Sequence, residues 1–269
     1  MKTRYAAAAS IALGLIWSLI LASIVSESFI PVKLGIIIDS IIVVLLIFLF
    51  IGYKDALDDM PRLKKFAMIA LISLCISQAS RYMYLYEYIG YSLNLPNLGS
   101  HFPFAINAIL SIPPIIFGVM LFRKRNELKT NFLPITFLVW AVTLSLRPLN
   151  YLLYISDSLF EIFGYDFSYF ALLTPIVARL VLSIAEAKFF YKKDNVNNFF
   201  GTASLVCGII SFFYNPVFIV SIYTIIFGNI QRKEKNNSYA FAGLILGYLT
   251  LIYKVILIFA GAYILRFML

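Results

Sequence analysis

Apolar runs of about twenty residues recur along this whole chain, and few charges interrupt them. A run of that length crosses the roughly 30 Å hydrocarbon core of a bilayer as an α-helix. Lipid cannot hydrogen-bond an exposed backbone, so only helices and closed barrels span membranes, and a barrel would show short alternating segments instead. The sequence therefore predicts an all-α fold, a polytopic transmembrane helix bundle.

The composition agrees with this class of fold and limits the range of expected binding partners. Apolar residues make up 62% of the chain and charged residues 13%, against about 25% charged residues in soluble domains. The formal net charge of +9 comes mainly from short loops, where basic residues set orientation. We therefore expect the lipid bilayer as a partner and no nucleic acid. Association with other membrane proteins, or of the chain with itself, is left open.

Eight apolar spans can be placed from the runs and their polar breaks. They are 5–26, 34–53, 66–90, 103–122, 132–154, 169–191, 199–230 and 239–266. The stretch 199–230 is long for one crossing and contains Tyr214-Asn215-Pro216, a turn signal. It is either one span or a short hairpin of 199–214 and 217–230, which gives eight or nine helical segments.

Loop charges predict the orientation and favour the hairpin. The loops that contain Lys54, Arg123 and Lys192 are basic, whereas 91–102 and 155–168 are neutral or acidic. Basic loops stay cytoplasmic, which places the N-terminus inside and the chain in the cell membrane. Only the hairpin puts the basic turn at Arg232 on that same side.

The domain organisation is predicted as a single membrane domain, 1–269. Its sub-regions are a first helix (1–33), helical hairpins (34–198) and a hairpin-plus-helix module (199–269). Phe66, Phe132 and Phe199 each open a span after a basic loop and lie 66 and 67 positions apart. This spacing indicates possible repeated helical hairpins, although regular hairpins can also produce it by chance.

Charges inside the spans are the candidate functional residues. Arg81 and Arg147 each lie fifteen positions beyond a span-opening phenylalanine, a rise of about 22 Å. Both then lie in the outer third, where an arginine can reach the headgroups. The predicted outer polar cluster is Asp39, Arg81, Glu87, Arg147 and Lys254. It is either a set of structural pairs or a site for an anion or a lipid headgroup.

Two further spacings concern helix packing. Arg179 and Glu186 are seven residues apart, hence on one helix face, and form a second candidate pair. Gly243 and Gly247 form a GxxxG motif, which allows close helix approach.

The C-terminal region resembles a known family. The segments GTASLVCGIISFFYNPVFIVSIYTIIFGNIQRK and SYAFAGLILGYLTL are similar to a small prokaryotic membrane domain of unknown function, family 4190, over about 199–250. The matching positions are Gly201, Gly208, Gly228, Ala240, Ala242, Gly243, Gly247 and Tyr248; Phe241 and the bulky aromatic content depart from the family pattern. The resemblance implies a prokaryotic membrane module with a helical hairpin and no assigned chemistry.

Catalytic signatures do not occur in the sequence. There is a single histidine, His101, and no HExxH, P-loop, GxSxG or paired-cysteine motif. We therefore expect no enzyme activity, no cofactor and no metal. The leading hypothesis is a non-enzymatic integral membrane protein with a structural or regulatory role. The alternative is a transporter or sensor for a small anion or lipid headgroup that uses the outer basic cluster.

Overall fold

The computed structural model describes residues 2–25, 32–92, 101–146, 157–194, 199–213, 218–234 and 237–268. Within these ranges the chain forms helices and turns and no strand, so the all-α prediction is confirmed. The helices are α1 (Lys2–Val25), α2 (Val32–Ala56), α3 (Pro61–Ser92), α4 (His101–Leu110), α5 (Ile112–Arg123), α6 (Phe132–Leu144), α7 (Asp157–Asp194), α8 (Phe199–Phe213), α9 (Ile219–Glu234) and α10 (Ser238–Met268).

Several of these helices match the dimensions of a bilayer. In the described ranges, five stretches are long and apolar enough to cross one: Thr3–Ile24, Leu34–Ala56, Ile106–Arg123, Phe170–Lys192 and Ser238–Ala260. Phe132–Leu144 and Phe199–Phe212 are shorter apolar helices. Length and composition therefore indicate a membrane protein.

Prolines account for several helix ends. Pro61 opens α3, where its missing N–H removes no intrahelical hydrogen bond. Pro113 and Pro114 lie in the first turn of α5. The predicted span 103–122 is consequently divided at Ser111 into α4 and α5, because a proline ring inside a helix clashes with the preceding turn.

The predicted acidic loop 155–168 is largely helical. The backbone is helical from Asp157 onwards, so α7 is 38 residues long. The segment between Asp157 and Ser168 contains no proline and one glycine, Gly164, and an isolated glycine is tolerated inside a helix. The part of α7 that is long and apolar enough to cross a membrane still begins at Phe170, just after this segment.

The chain separates into two compact units. Unit 1 comprises Met1–Trp17 and Glu27–Asp194, and unit 2 comprises Ser18–Ser26 and Asn195–Leu269. In unit 1, α2 packs on α3, α3 on α5, α5 on α6 and α6 on α7, while α7 also contacts α2. These contacts enclose a core in which Tyr53, Phe117, Phe137 and Phe190 are buried.

In unit 2, α8, α9 and α10 all pack on one another. Gly201 of α8 lies beside Gln231, and Ser204 lies beside Thr224. The α9 partner therefore falls in number as the α8 residue rises, so the two helices form an antiparallel hairpin and not one long span. The turn Tyr214-Asn215-Pro216 lies outside the described residues.

Candidate functional site

The most buried charges of the described chain form an ion pair on α7. Nη2 of Arg179 donates to Oε2 of Glu186 over 2.9 Å, and the two side chains are 2% and 1% exposed. Seven residues are about two helical turns, a rise of about 10 Å, so the long arginine side chain runs along the helix to reach the carboxylate. The structure thus brings together the second candidate pair.

Two other helices contribute hydrogen bonds to the same carboxylate. The hydroxyl of Tyr53, on α2, donates to Oε1 of Glu186 over 3.0 Å. Oγ of Ser10, on α1, lies 2.9 Å from Oε2 of Glu186 and 2.8 Å from the carbonyl oxygen of Ser183. A serine hydroxyl has one proton, so Ser10 donates fully to one of these acceptors at a time. Both carboxylate oxygens of Glu186 are consequently hydrogen-bonded.

Aromatic rings surround this network. Cζ of Arg179 lies 4.9 Å from the centroid of the Trp140 ring on α6, a cation–π contact that strengthens away from water. The Tyr53 ring packs edge-on against Phe190 and Phe117, with centroids 4.9 Å and 5.7 Å away. The ion pair is therefore enclosed by apolar surface that excludes water and strengthens its electrostatic attraction.

A close helix contact brings α1 to the network. A Cβ placed on Gly52 would lie 2.0 Å from Cβ of Ala6, so glycine at this position allows the backbones of α1 and α2 to approach. Gly52 directly precedes Tyr53, and Ala6 lies one turn before Ser10. The same contact therefore places both hydroxyl groups near Glu186.

The site places a serine hydroxyl beside a carboxylate, inside the packing of the helices. Ser10 beside Glu186 has the composition of a nucleophile and base, but Ser10 is fully buried and a reacting atom needs a place near both groups. In the described ranges, no three His, Cys, Asp or Glu side chains come close enough to hold a metal. The network, here called the Glu186 site, links α1, α2, α6 and α7.

The predicted outer cluster is described only in part. Nε2 of Gln78, on α3, donates to Oδ1 of Asp39 on α2, and Gln78 lies three residues before Arg81. The Arg81 and Glu87 backbones belong to α3, but their side chains, like all of Arg147, lie outside what is described. Oγ of Ser77 donates to Oδ1 of Asn107 on α4 over 2.5 Å. Polar side chains of α2, α3 and α4 therefore meet near the Arg81 turn.

The remaining predicted residues lie on α10 in unit 2. Lys254 is half-buried. A Cβ on Gly243 would lie 2.6 Å from the backbone carbon of Ser204 on α8, and one on Gly247 would lie 2.9 Å from Cγ2 of Thr224 on α9. The GxxxG motif thus packs against two different helices, one through each glycine.

Sequence reasoning missed Ser10, Tyr53 and Trp140. Ser10 is one small polar residue in an alanine-rich run, and Tyr53 next to Lys54 looks like an ordinary interfacial tyrosine. Contacts between distant helices leave no local spacing signal. The available signal was the polar group itself, because a hydroxyl in hydrocarbon requires a hydrogen-bond partner.

Comparisons with protein families, curated proteins and solved structures gave no match to this chain.

Proposed function

We propose that the protein is a multi-pass integral protein of the cell membrane with a structural or regulatory, non-enzymatic role. The observation that carries this proposal is the Glu186 site. Arg179 and Glu186 are at most 2% exposed, and each charge is satisfied by a partner. Intramembrane charges that serve transport face a cavity or a pathway. Charges enclosed by aromatic rings and hydroxyl groups instead hold helices in one arrangement.

A permeability comparison tests this role. The wild type and the double variant Arg179→Met with Glu186→Leu are reconstituted into vesicles that contain a pH-sensitive dye. We expect proton and anion permeability equal to that of protein-free vesicles for both proteins. Permeability above that level in the wild type, lost in the double variant, would contradict a structural role for the pair.

A second candidate function is a transporter or sensor for a small anion or lipid headgroup on the outer side. It is favoured by the polar contacts of Asp39 with Gln78 and of Ser77 with Asn107, which lie near the turn that carries Arg81. Uptake of inorganic phosphate into vesicles compares the wild type with Arg81→Ala. Faster uptake by the wild type supports this candidate, and equal uptake argues against it.

The proposed topology has a cytoplasmic N-terminus and a cytoplasmic turn between α9 and α10. Its support is the positive charge of the loops and the hairpin of α8 and α9, which is also the arrangement that the resemblance to family 4190 implies. In a variant with Cys75 and Cys207 replaced by alanine, a single cysteine at Glu127 reports the turn between α5 and α6, and a single cysteine at Ser238 reports the turn between α9 and α10. We expect an impermeant maleimide to label both only after cells are opened. Labelling of Ser238→Cys alone in intact cells would reverse the proposed side of that turn.

A further inference from the structure

A groove runs along one face of unit 2. It has a volume of about 320 Å³ and lies between the last turns of α9 and the first half of α10. Its wall on α10 is formed by residues three or four positions apart, which share one helix face: Phe241, Ile245, Tyr248, Leu249 and Ile252. Leu244 is 4% exposed, whereas the wall residues are 43–58% exposed. The groove is therefore open on the side that faces away from α8, α9 and α10, and its wall on α10 is apolar.

The polar residues of the groove gather at one end. Arg232 and Asn229, both on α9, complete its lining, and they lie where α9 ends and α10 begins. Arg232 is exposed and forms no ion pair within the described part of the chain. Lys233, Glu234 and Lys235 follow it in the sequence, so the four residues have a formal net charge of +2. This end of the groove therefore has a net positive formal charge.

The length of the groove matches one leaflet of a bilayer. Phe241 and Ile252 are eleven residues apart, a rise of about 16 Å, and half of a hydrocarbon core is about 15 Å. A basic group at the membrane surface, at the end of an apolar groove of that length, is complementary to a phospholipid with a negative headgroup. Basic pockets between transmembrane helices on the cytoplasmic side bind such headgroups.

We propose that this groove binds one anionic phospholipid of the bilayer, with the phosphate at Arg232 and one acyl chain along α10. Arg232 supplies a planar guanidinium that can pair with two phosphate oxygens, and Asn229 supplies an amide donor beside it. The wall from Phe241 to Ile252 selects for an acyl chain and not for a free anion. Binding here requires the chain to lie in a bilayer but does not depend on the role of Arg179 and Glu186.

Native mass spectrometry tests the headgroup preference. The purified full-length protein is mixed with equal amounts of phosphatidylglycerol and phosphatidylcholine that carry the same acyl chains. We expect the wild type to retain one phosphatidylglycerol about fivefold better, the factor for one basic group near the surface. Arg232→Gln removes the preference and Arg232→Lys keeps most of it. Lys192→Gln, which removes an exposed charge from α7, leaves it unchanged.

Two further measurements separate this site from other sources of binding. Ile245→Trp fills the groove and is expected to reduce retention of both lipids, provided that its thermal unfolding midpoint equals that of the wild type. An excess of inorganic phosphate is expected to leave the bound lipid in place. Equal retention of the two lipids by the wild type, an Arg232→Gln variant that behaves like the wild type, or displacement by phosphate would each overturn the proposal.

Discussion

The guanidinium of Arg179 lies 2.9 Å from the carboxylate of Glu186, two turns further along the same helix, and both side chains are at most 2% exposed. Removing two charges from water is expensive, and their mutual attraction offsets that penalty only with good geometry and additional hydrogen bonds. Tyr53 and Ser10 supply those hydrogen bonds from α2 and α1. The hydrogen bonds to Glu186 therefore connect α1 and α2 to α7.

Removal of one charge should destabilise the protein far more than removal of both. Arg179→Met or Glu186→Leu alone leaves an uncompensated buried charge and should cost about 3–5 kcal/mol of unfolding free energy. The double variant should lie closer to the wild type than either single variant, because no charge remains unpaired. Denaturant-induced unfolding in one detergent, followed by circular dichroism, provides the comparison.

The outcome that contradicts this prediction is additivity. If the double variant loses the sum of the two single losses, the side chains do not interact in the folded protein. A matched control is Lys124→Met with Glu127→Leu, which removes an exposed ion pair. Exposed pairs contribute about 0–1 kcal/mol, so the two single control variants and the double control variant should all have an unfolding free energy close to that of the wild type.

The sequence allowed the class of fold and one contact of this site to be predicted. Long apolar runs define helices because lipid leaves the backbone no alternative. A spacing of seven residues places Arg179 and Glu186 on one face whatever the other helices do. Ser10 and Tyr53 could not be assigned to the site, because their proximity depends on how α1 and α2 cross. The close contact at Gly52 is only one of the contacts that set this crossing.

The outer cluster shows a different limit of sequence reasoning. The depths of Arg81 and Arg147 are counted from Phe66 and Phe132; α6 does begin at Phe132, but α3 begins five residues before Phe66, at Pro61, so a depth counted in this way is uncertain by several residues. The depth of a residue along its span also does not define which side chain it contacts. Asp39 accepts a hydrogen bond from the neutral amide of Gln78, a partner that depth along a span does not predict.

Tyr53→Phe should destabilise unit 1 by removing the hydroxyl that donates to Oε1 of Glu186. The ring would keep its aromatic contacts, so the loss is that of one buried hydrogen bond to a charged group, about 1–3 kcal/mol. Tyr5→Phe is the matched control, because Tyr5 is 55% exposed and its hydroxyl can bond to water or headgroups. Equal unfolding midpoints for the two variants would show that the Tyr53 hydroxyl does not stabilise Glu186.

The turn between α2 and α3 should respond to acid. The Lys64 ammonium donates to the Asp58 carboxylate, and this hydrogen bond, with the positive charge, holds the pKa of Asp58 below its ordinary value of 3.8. Because the folded pKa is the lower one, the stabilisation is complete above pH 3.8 and is lost as the pH falls through the lowered value. Lys64→Gln should raise the pKa of Asp58 in a carbon-13 titration of labelled aspartate. Lys65→Gln should leave it unchanged, and an equal shift in both variants would argue against a specific Lys64 contact.

Gly243→Ala should destabilise unit 2 because its methyl group has no space. The added Cβ would lie 2.6 Å from a backbone carbon and 2.8 Å from a backbone nitrogen of α8, atoms that cannot move without shifting the helix. Overpacking of this kind costs about 1–3 kcal/mol, and α10 should separate from α8 at a lower denaturant concentration.

Gly35→Ala is the matched control, since a Cβ there meets nothing within 4 Å, and alanine in a helix is favoured over glycine by about 0.5–1 kcal/mol. We therefore expect changes of opposite sign in the two variants, measured by denaturant-induced unfolding in the same detergent. A Gly243→Ala variant as stable as Gly35→Ala would mean that α8 and α10 do not approach as closely as the structure indicates.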